Sequence, residues 1–447
     1  MEPWRAGRLA STCLALSLAW IYAAVIGLAP PLRRIGWLQA SAAALALLGL
    51  VAAAWEGGGG LEDSGPAAPA PAPAAARTPA HRLVLLNFDG ADFDTVMTLQ
   101  AQGKLPAFSR LKEEGAYGRL KSVLPCAAAV TRATLLTGKL PYRHGVRDAR
   151  ARRLLGSGPT IEVVPEDLAF DLLLAPILAV RFTDVSDRRS LAIWDIVRQA
   201  PGRGGAAGWE IDLDHRAAGP PGTPRPAQGL LDDLDPEALR ASDARSRDLV
   251  GRLAAAVEAD GRVLEALGGM HPDRGPDVTA LSFPGLDQVA HVFLRYARPA
   301  DFGNLTDREI DLYGPVLERY YRRIDAIVGR ALQADGEEAT LLFVTSSHGM
   351  VPLPPGRRLL AALTSSDGLS GTHQDGPDGF LFARGPQVRR GQRLGKGSIA
   401  DLVPTALYAL DMPVAQDLDG SILAGVFTSR YTFDHPVAVI GSYEERR

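Results

Sequence analysis

The chain has 447 residues and a formal net charge of −3, with 48 Lys and Arg scattered among 51 Asp and Glu. Scattered charge leaves no basic face for a phosphate backbone and argues against nucleic acid as a partner, while the length suits one large α/β domain with additions. The two cysteines, Cys13 and Cys126, fall in what read as a membrane segment and a soluble segment, which excludes a disulfide framework.

The N-terminus differs in composition from everything after it. Two almost wholly apolar runs, Leu9 to Ala29 and Gly36 to Trp55, each approach the ~20 residues needed to cross a bilayer. They predict a membrane anchor over residues 1–56, with retained helices expected rather than a cleaved signal peptide. Arg33 and Arg34 precede the second run, and Glu56, Glu62 and Asp63 follow it, so the positive-inside bias puts the downstream domain outside the cytoplasm; Arg5 and Arg8 pull the other way. Residues 57–80 are a Gly-rich start followed by Pro-Ala alternation. Such a chain buries too little apolar surface to fold and reads as an extended tether.

Residues 81–447 read as the globular part. Leu83 to Phe88 is an apolar run broken at Asp89-Gly90, the pattern of a strand buried on both faces that ends at a ligand-bearing turn. Pro106 to Glu114 has helical spacing, with Pro at its first turn and Gly115 at its end. A turn at Pro125 leads into a short helix ending near Thr137-Gly138. From about 150 to 275 the pattern is less regular and reads as a helical insertion, with the Arg147 to Arg153 run as a solvated face.

Order returns at Asp277 to Phe283, a strand leading into GLDQVAH, where Asp287 and His291 are four residues apart and share a helix face. A single helix is expected from Asp307 to Leu332. The strand Thr340 to Thr345 runs to Ser346-Ser347-His348-Gly349, and His373 lies in a loop before the strand-like GFLFARG. Strands alternating with helices predict an α/β fold with a mostly parallel central sheet covered on both faces. Asp89, Asp287, His291, His348 and His373 all fall at or after strand ends, and mixed carboxylates and imidazoles suit zinc or a similar ion.

Beyond these residue types, an ordered set of motifs runs from Arg82 to Gly425: FDGAD at Phe88, GKLPAFSRLKEEGA at Gly103, TLLTGKLPYRHGV at Thr134, WDI at Trp194, GLDQVAH at Gly285, SHGM at Ser347, GTH at Gly371, and then DLVPTALYALDMP and DLDG. In that order they resemble the alkaline phosphatase superfamily, nearest its type I phosphodiesterase/nucleotide pyrophosphatase branch, with sulfatase-like features. The resemblance implies a sheet that carries two divalent metal ions, zinc first and manganese as the other choice, and an attacking Thr, Ser or modified Cys. One metal site would take Asp287, His291 and His373. The second would take Asp89 and His348, but Ser347 stands where the family has an aspartate. The nucleophile position, nine residues before Thr137, is Ala128, and a methyl group cannot attack. Thr131 and Cys126 are the nearby substitutes, and Arg132 matches the sulfatase-type arginine that binds an oxyanion.

Three functions follow as expectations. The first is a membrane-tethered metal-dependent hydrolase of phosphoric or sulfuric esters, weak or altered through Ala128 and Ser347. The second is an inactive relative that holds an anionic ligand through one metal. A headgroup transferase, the third, also needs the missing nucleophile.

Overall fold

The computed structural model describes residues 79–444 except 80, 125, 149, 155–159, 162–177, 183–186, 201, 210–243, 269–276, 304, 335–339 and 359–368. The two N-terminal apolar runs and nearly all of the 57–80 segment therefore lie outside the described residues. Among the described residues no helix is long and apolar enough to cross a membrane.

The fold is built on β1 (Arg82–Phe88), buried from both sides as its apolar run requires. Leu83 and Leu85 enter one apolar cluster, and Leu86 and Phe88 enter another, following the two-residue period of a strand. Each such buried side chain contributes roughly 1.5–3 kcal/mol relative to exposure. The first helices are α1 (Phe93–Ala101) and α2 (Pro106–Glu114), followed by β2 (Ala116–Lys121), α3 (Ala128–Thr137) and α4 (Pro141–His144). Gly138 ends α3 with φ +66°, a left-handed cap that suits glycine.

The stretch expected to be a helical insertion is mixed. It holds β3 (Arg150–Leu154), β4 (Thr160–Ile161), β5 (Leu178–Phe182), α5 (Ile193–Gln199), β6 (Gly204–Ala207) and the long α6 (Ala244–Gly268). After it come β7 (Val278–Phe283), α7 (Gly285–Ala297), α8 (Asp307–Tyr313) and α9 (Val316–Ala334). The single helix expected from Asp307 to Leu332 is thus two, divided at Gly314-Pro315, where proline brings no N–H and its ring clashes with the preceding turn. Thr306 and Glu309 close a capping box at the start of α8.

Then come β8 (Thr340–His348), β9 (Val351–Pro352), β10 (Gly371–Thr372), β11 (Asp378–Arg384), β12 (Gln392–Arg393) and β13 (Gly397–Ser398), before α10 (Leu402–Ala409); β9 and β10 pair with each other apart from the main sheet. The main sheet has the order β12-β2-β11-β8-β1-β7-β6, with β13 also paired to β2. β1 runs parallel to both β7 and β8, but β11 is antiparallel to both β2 and β8. The sheet is therefore mixed, with β11 as the reversed strand. The reversal matters for the site: β8 ends at His348, Asp378 pairs opposite it, and the connection between them carries His373 back to the same end. One face is covered by α1, α2, α6, α7 and α9 and the other by α3, α5 and α10.

Candidate active site

Three elements place the acid and the imidazoles. α7 begins at Gly285, whose N–H donates to Asp260 Oδ1 at 2.9 Å, and Tyr320 Oη donates to Asp260 Oδ2 at 2.8 Å. A Cβ at Gly285 would fall 1.9 Å from Tyr320 Oη, so only glycine admits this anchor. Burial raises the Asp260 carboxyl to about 6, against the hydrogen bonds from Tyr320 and Gly285 that favour its charged form. The anchored helix then presents Asp287 and His291, while β8 delivers His348 and the β10–β11 turn delivers His373.

Side-chain oxygens of Asp287 face two imidazoles. Oδ1 lies 3.3 Å from His348 Nε2 and Oδ2 lies 3.6 Å from His291 Nε2. The ring of His373 stands 4.8 Å from that of His348 and 5.3 Å from that of His291. Ligand atoms of Asp287, His348 and His373 lie within 4.8 Å of one another, close enough to share one ion. The expected set was Asp287, His291 and His373. The structure brings His348 into the group with Asp287 and leaves His291 beside it.

The hydrogen bonds on the far side of each ring determine which nitrogen carries the proton. His291 Nδ1 is 2.9 Å from the Gly371 carbonyl, and His373 Nδ1 is bonded to the Cys126 carbonyl. A carbonyl only accepts, so both Nδ1 atoms must donate. Around His348 the same result follows in three steps: Thr131 Oγ1 donates to the Ala128 carbonyl at 3.3 Å, Ser347 Oγ donates to Thr131 Oγ1 at 3.1 Å, and Ser347 Oγ therefore accepts from His348 Nδ1 at 2.8 Å. In the neutral form of each ring the Nε2 lone pair is then left toward a carboxylate or toward another ring. Lone pairs converging in this way suit a cation, and an Nδ1–H held by a carbonyl or hydroxyl is the usual support of a metal-binding histidine.

The charge states agree with that assignment. Burial pushes His373 down to about 3, helped by the neighbouring His348, which keeps it in the neutral form a metal requires. Burial alone would raise Asp287, but the neighbouring imidazoles, His291 foremost, hold its carboxyl well below the usual range.

The second expected half-site is arranged differently. Asp89 is fully buried at the end of β1, and Arg132 of α3, only 4% exposed, reaches it with Nε and Nη2, each 2.5 Å from Oδ2. Asn87 Nδ2 donates to Asp89 Oδ1 at 2.8 Å and also to Ser282 Oγ at 3.0 Å. Asp89, expected as a metal ligand beside His348, is thus held by a guanidinium and an amide. Gly90, with φ +74°, packs this turn against α7, where a Cβ would meet the Asp287 backbone at 2.8 Å. Arg132, read from its sequence position as an oxyanion binder, makes a buried ion pair, and its Nη1 is buried without a hydrogen-bond partner.

Ala128 is the first residue of α3, and Ala127 caps the helix without a side-chain hydrogen bond. The two suggested substitutes are both engaged elsewhere. Thr131 is fully buried and spends its proton on the Ala128 carbonyl, and the Cys126 thiol is buried 3.5 Å from Ser122 Oγ. Sequence reasoning missed Asp260, Tyr320, Asn87 and Ser282, none of which sits in a recognisable motif. It also missed the carbonyls of Cys126 and Gly371, which carry no side-chain signal at all.

The family model for type I phosphodiesterase / nucleotide pyrophosphatase matches residues 83–377. Among solved structures, human ectonucleotide pyrophosphatase/phosphodiesterase 5 is 15% identical with a TM-score of 0.46, covering 76% of this chain and 97% of that one. The murine protein of the same name, in an inactive variant in complex with AMP, is 14% identical with a TM-score of 0.45 over the same shares. No curated protein matches the chain. With well over half of its length matched by the family model, the chain belongs to the type I phosphodiesterase/nucleotide pyrophosphatase family.

Proposed function

We propose that this chain is a membrane-tethered family member that binds a phosphoric ester anion at a single divalent-metal centre and hydrolyses it slowly or not at all. The observation that carries this reading is the pairing of converging Nε2 atoms around Asp287 with a methyl group at Ala128. Asp287, His348 and His373 would hold the ion, with His291 alongside; zinc is the metal that this imidazole and carboxylate set suits best. Such an ion supplies Lewis acidity toward an anionic oxygen and lowers the pKa of water.

The chain's own residues supply orientation. Cys126, Gly371 and Ser347 fix the three rings, and the start of α3 brings Arg132 beside the same turn. No group at position 128 takes the covalent role, and loss of a nucleophile that acts as part of a unit costs ~10⁴ to 10⁶ in kcat. A sulfate ester has similar charge and shape, and a direct attack by water is the hydrolytic route the residues leave open. The N-terminal apolar runs, with Arg33 and Arg34 before the second, support an anchor that places the domain on the extracytoplasmic side.

The test is metal stoichiometry of the full-length chain in detergent, measured together with turnover of a panel of phosphate mono- and diesters, AMP among them, and sulfate esters. About one equivalent of zinc with slow or absent turnover is expected. Rapid turnover with two equivalents bound overturns the proposal. Labelling of introduced cysteines in intact cells tests the side of the membrane.

A further inference from the structure

We propose that the Arg132 guanidinium is the second cation of this site: it takes the place a second metal would need, neutralises Asp89, and presents Nη1 to an anionic oxygen of the bound ester. This rests on the reading of Asp287, His348 and His373 as the single metal centre.

The first argument is occupancy of the ligands. A second ion would need Asp89, a residue at position 347, His348 and a group at position 128. Arg132 places two donors on Asp89 Oδ2, and Asn87 occupies Oδ1. The Ser347 hydroxyl is used between Thr131 and His348, and Nε2 of His348 faces Asp287. Position 128 offers a methyl. An added cation at Asp89 would meet no vacant ligand and would stand against a like charge.

The second argument is charge. A buried carboxylate requires a positive partner, and the bidentate fork of arginine supplies one with permanent charge and directed hydrogen bonds. A hydroxyl in place of a carboxylate at 347 and an arginine at 132 are therefore complementary: together they give a half-site that already carries its own positive charge. The third argument is the donor left over. Arg132 Nη1 is buried and has no partner, although such groups are normally satisfied. Asp89-Gly90 packs directly on α7 at Asp287, and Thr131, next to Arg132 on α3, is joined through Ser347 to His348, so the guanidinium adjoins the metal group, and an anionic ester oxygen is the acceptor chemistry it fits.

The experiment uses the full-length chain in detergent, with zinc alone and inorganic phosphate as probes, measured by elemental analysis and titration calorimetry. The starting chain is expected to bind one zinc and, when loaded, phosphate. The charge-neutral pair Asp89→Asn with Arg132→Met, which leaves no buried lone charge to unfold the domain, should keep one zinc at unchanged affinity and weaken phosphate on the order of tenfold or more, the size of one charge-assisted hydrogen bond. Ala128→Thr with Ser347→Asp should still bind one zinc, and the addition of Arg132→Asn should raise that to two.

Two zinc ions bound while Arg132 is present, a triple variant that stays at one, or full phosphate affinity in the charge-neutral pair would each overturn the inference. A starting chain that binds no zinc refutes the one-metal reading itself, which separates that failure from failure of the Arg132 role.

Discussion

The two halves of the site are held in different ways. On the side of Asp287, the His291 and His373 rings are aimed by main-chain carbonyls, and the helix that carries Asp287 is anchored through a main-chain N–H. On the side of Asp89, the carboxylate is held by side chains, Arg132 and Asn87, the latter also bonded to Ser282. Backbone-held geometry survives a change of side chains, whereas a half-site held by side chains changes its chemistry when one of them changes. The contrast has one exception on the Asp287 side, His348, whose ring is oriented by the Ser347 hydroxyl.

The largest expected effect tests the first half. Asp287→Asn removes the one carboxylate on which the imidazoles converge, and zinc affinity should fall by more than the ~10–100-fold typical of losing an outer-shell partner. Zinc titration reads this directly, and affinity within a few-fold of the starting chain would break the assignment. Next comes the ion pair. Arg132→Met alone strands Asp89 in the core and should destabilise the domain by roughly 3–5 kcal/mol in a denaturant melt, with most of that recovered when Asp89→Asn is added. Equal stability of the single and paired changes would show that the ion pair does not hold this half together.

The smallest effect separates an imidazole that serves the metal from one that serves packing. His144 is buried at the end of α4, where Nδ1 accepts from Val146 N–H at 3.1 Å and Nε2 faces Thr134 Oγ1 at 3.0 Å. Burial pushes it down to about 4 from an ordinary 6.5. Between those values the unfolded chain takes up a proton that the folded chain refuses, so this group's contribution is full above pH 6.5 and is lost as pH falls toward 4. The loss is about 3 kcal/mol. Asp260, raised to about 6, has the opposite slope over its own window, so the quantity to measure is the stability difference between the starting chain and His144→Gln as a function of pH. That difference should narrow by about 3 kcal/mol from pH 6.5 to 4 and be indifferent to zinc; a zinc-dependent difference would place His144 in the metal group.

Much of the scaffold was legible because it depends on local pattern. The apolar run of β1, the Pro-to-Gly frame of α2 and the four-residue spacing of Asp287 and His291 each announce their element. What was not legible depends on tertiary placement. Periodicity does not reveal strand direction, so the reversal of β11, which carries His373 back to His348, was read as part of a mostly parallel sheet. Arg132 and Asp89 are 43 residues apart, and nothing local pairs them. His348 was assigned to the second metal by motif, but the Ser347–Thr131 hydrogen bonds orient it, and Asp287 is the carboxylate it meets. The break at Pro315 was a local signal, passed over because the apolar spacing continues across it.

The carbonyls that orient His291 and His373 have a further consequence. Because every amino acid brings the same C=O, substitutions at Cys126 leave its acceptor chemically unchanged, provided the backbone path holds, whereas a Cβ at Gly371 would meet the Ala290 carbonyl at 2.6 Å and move the backbone that carries the other. The vulnerable quantity is chain length: removing or adding one residue next to position 126 would shift the carbonyl by a full residue spacing of about 3.8 Å and disengage His373. The placement of His373 in this candidate group is thus tied to spacing more than to spelling around position 126.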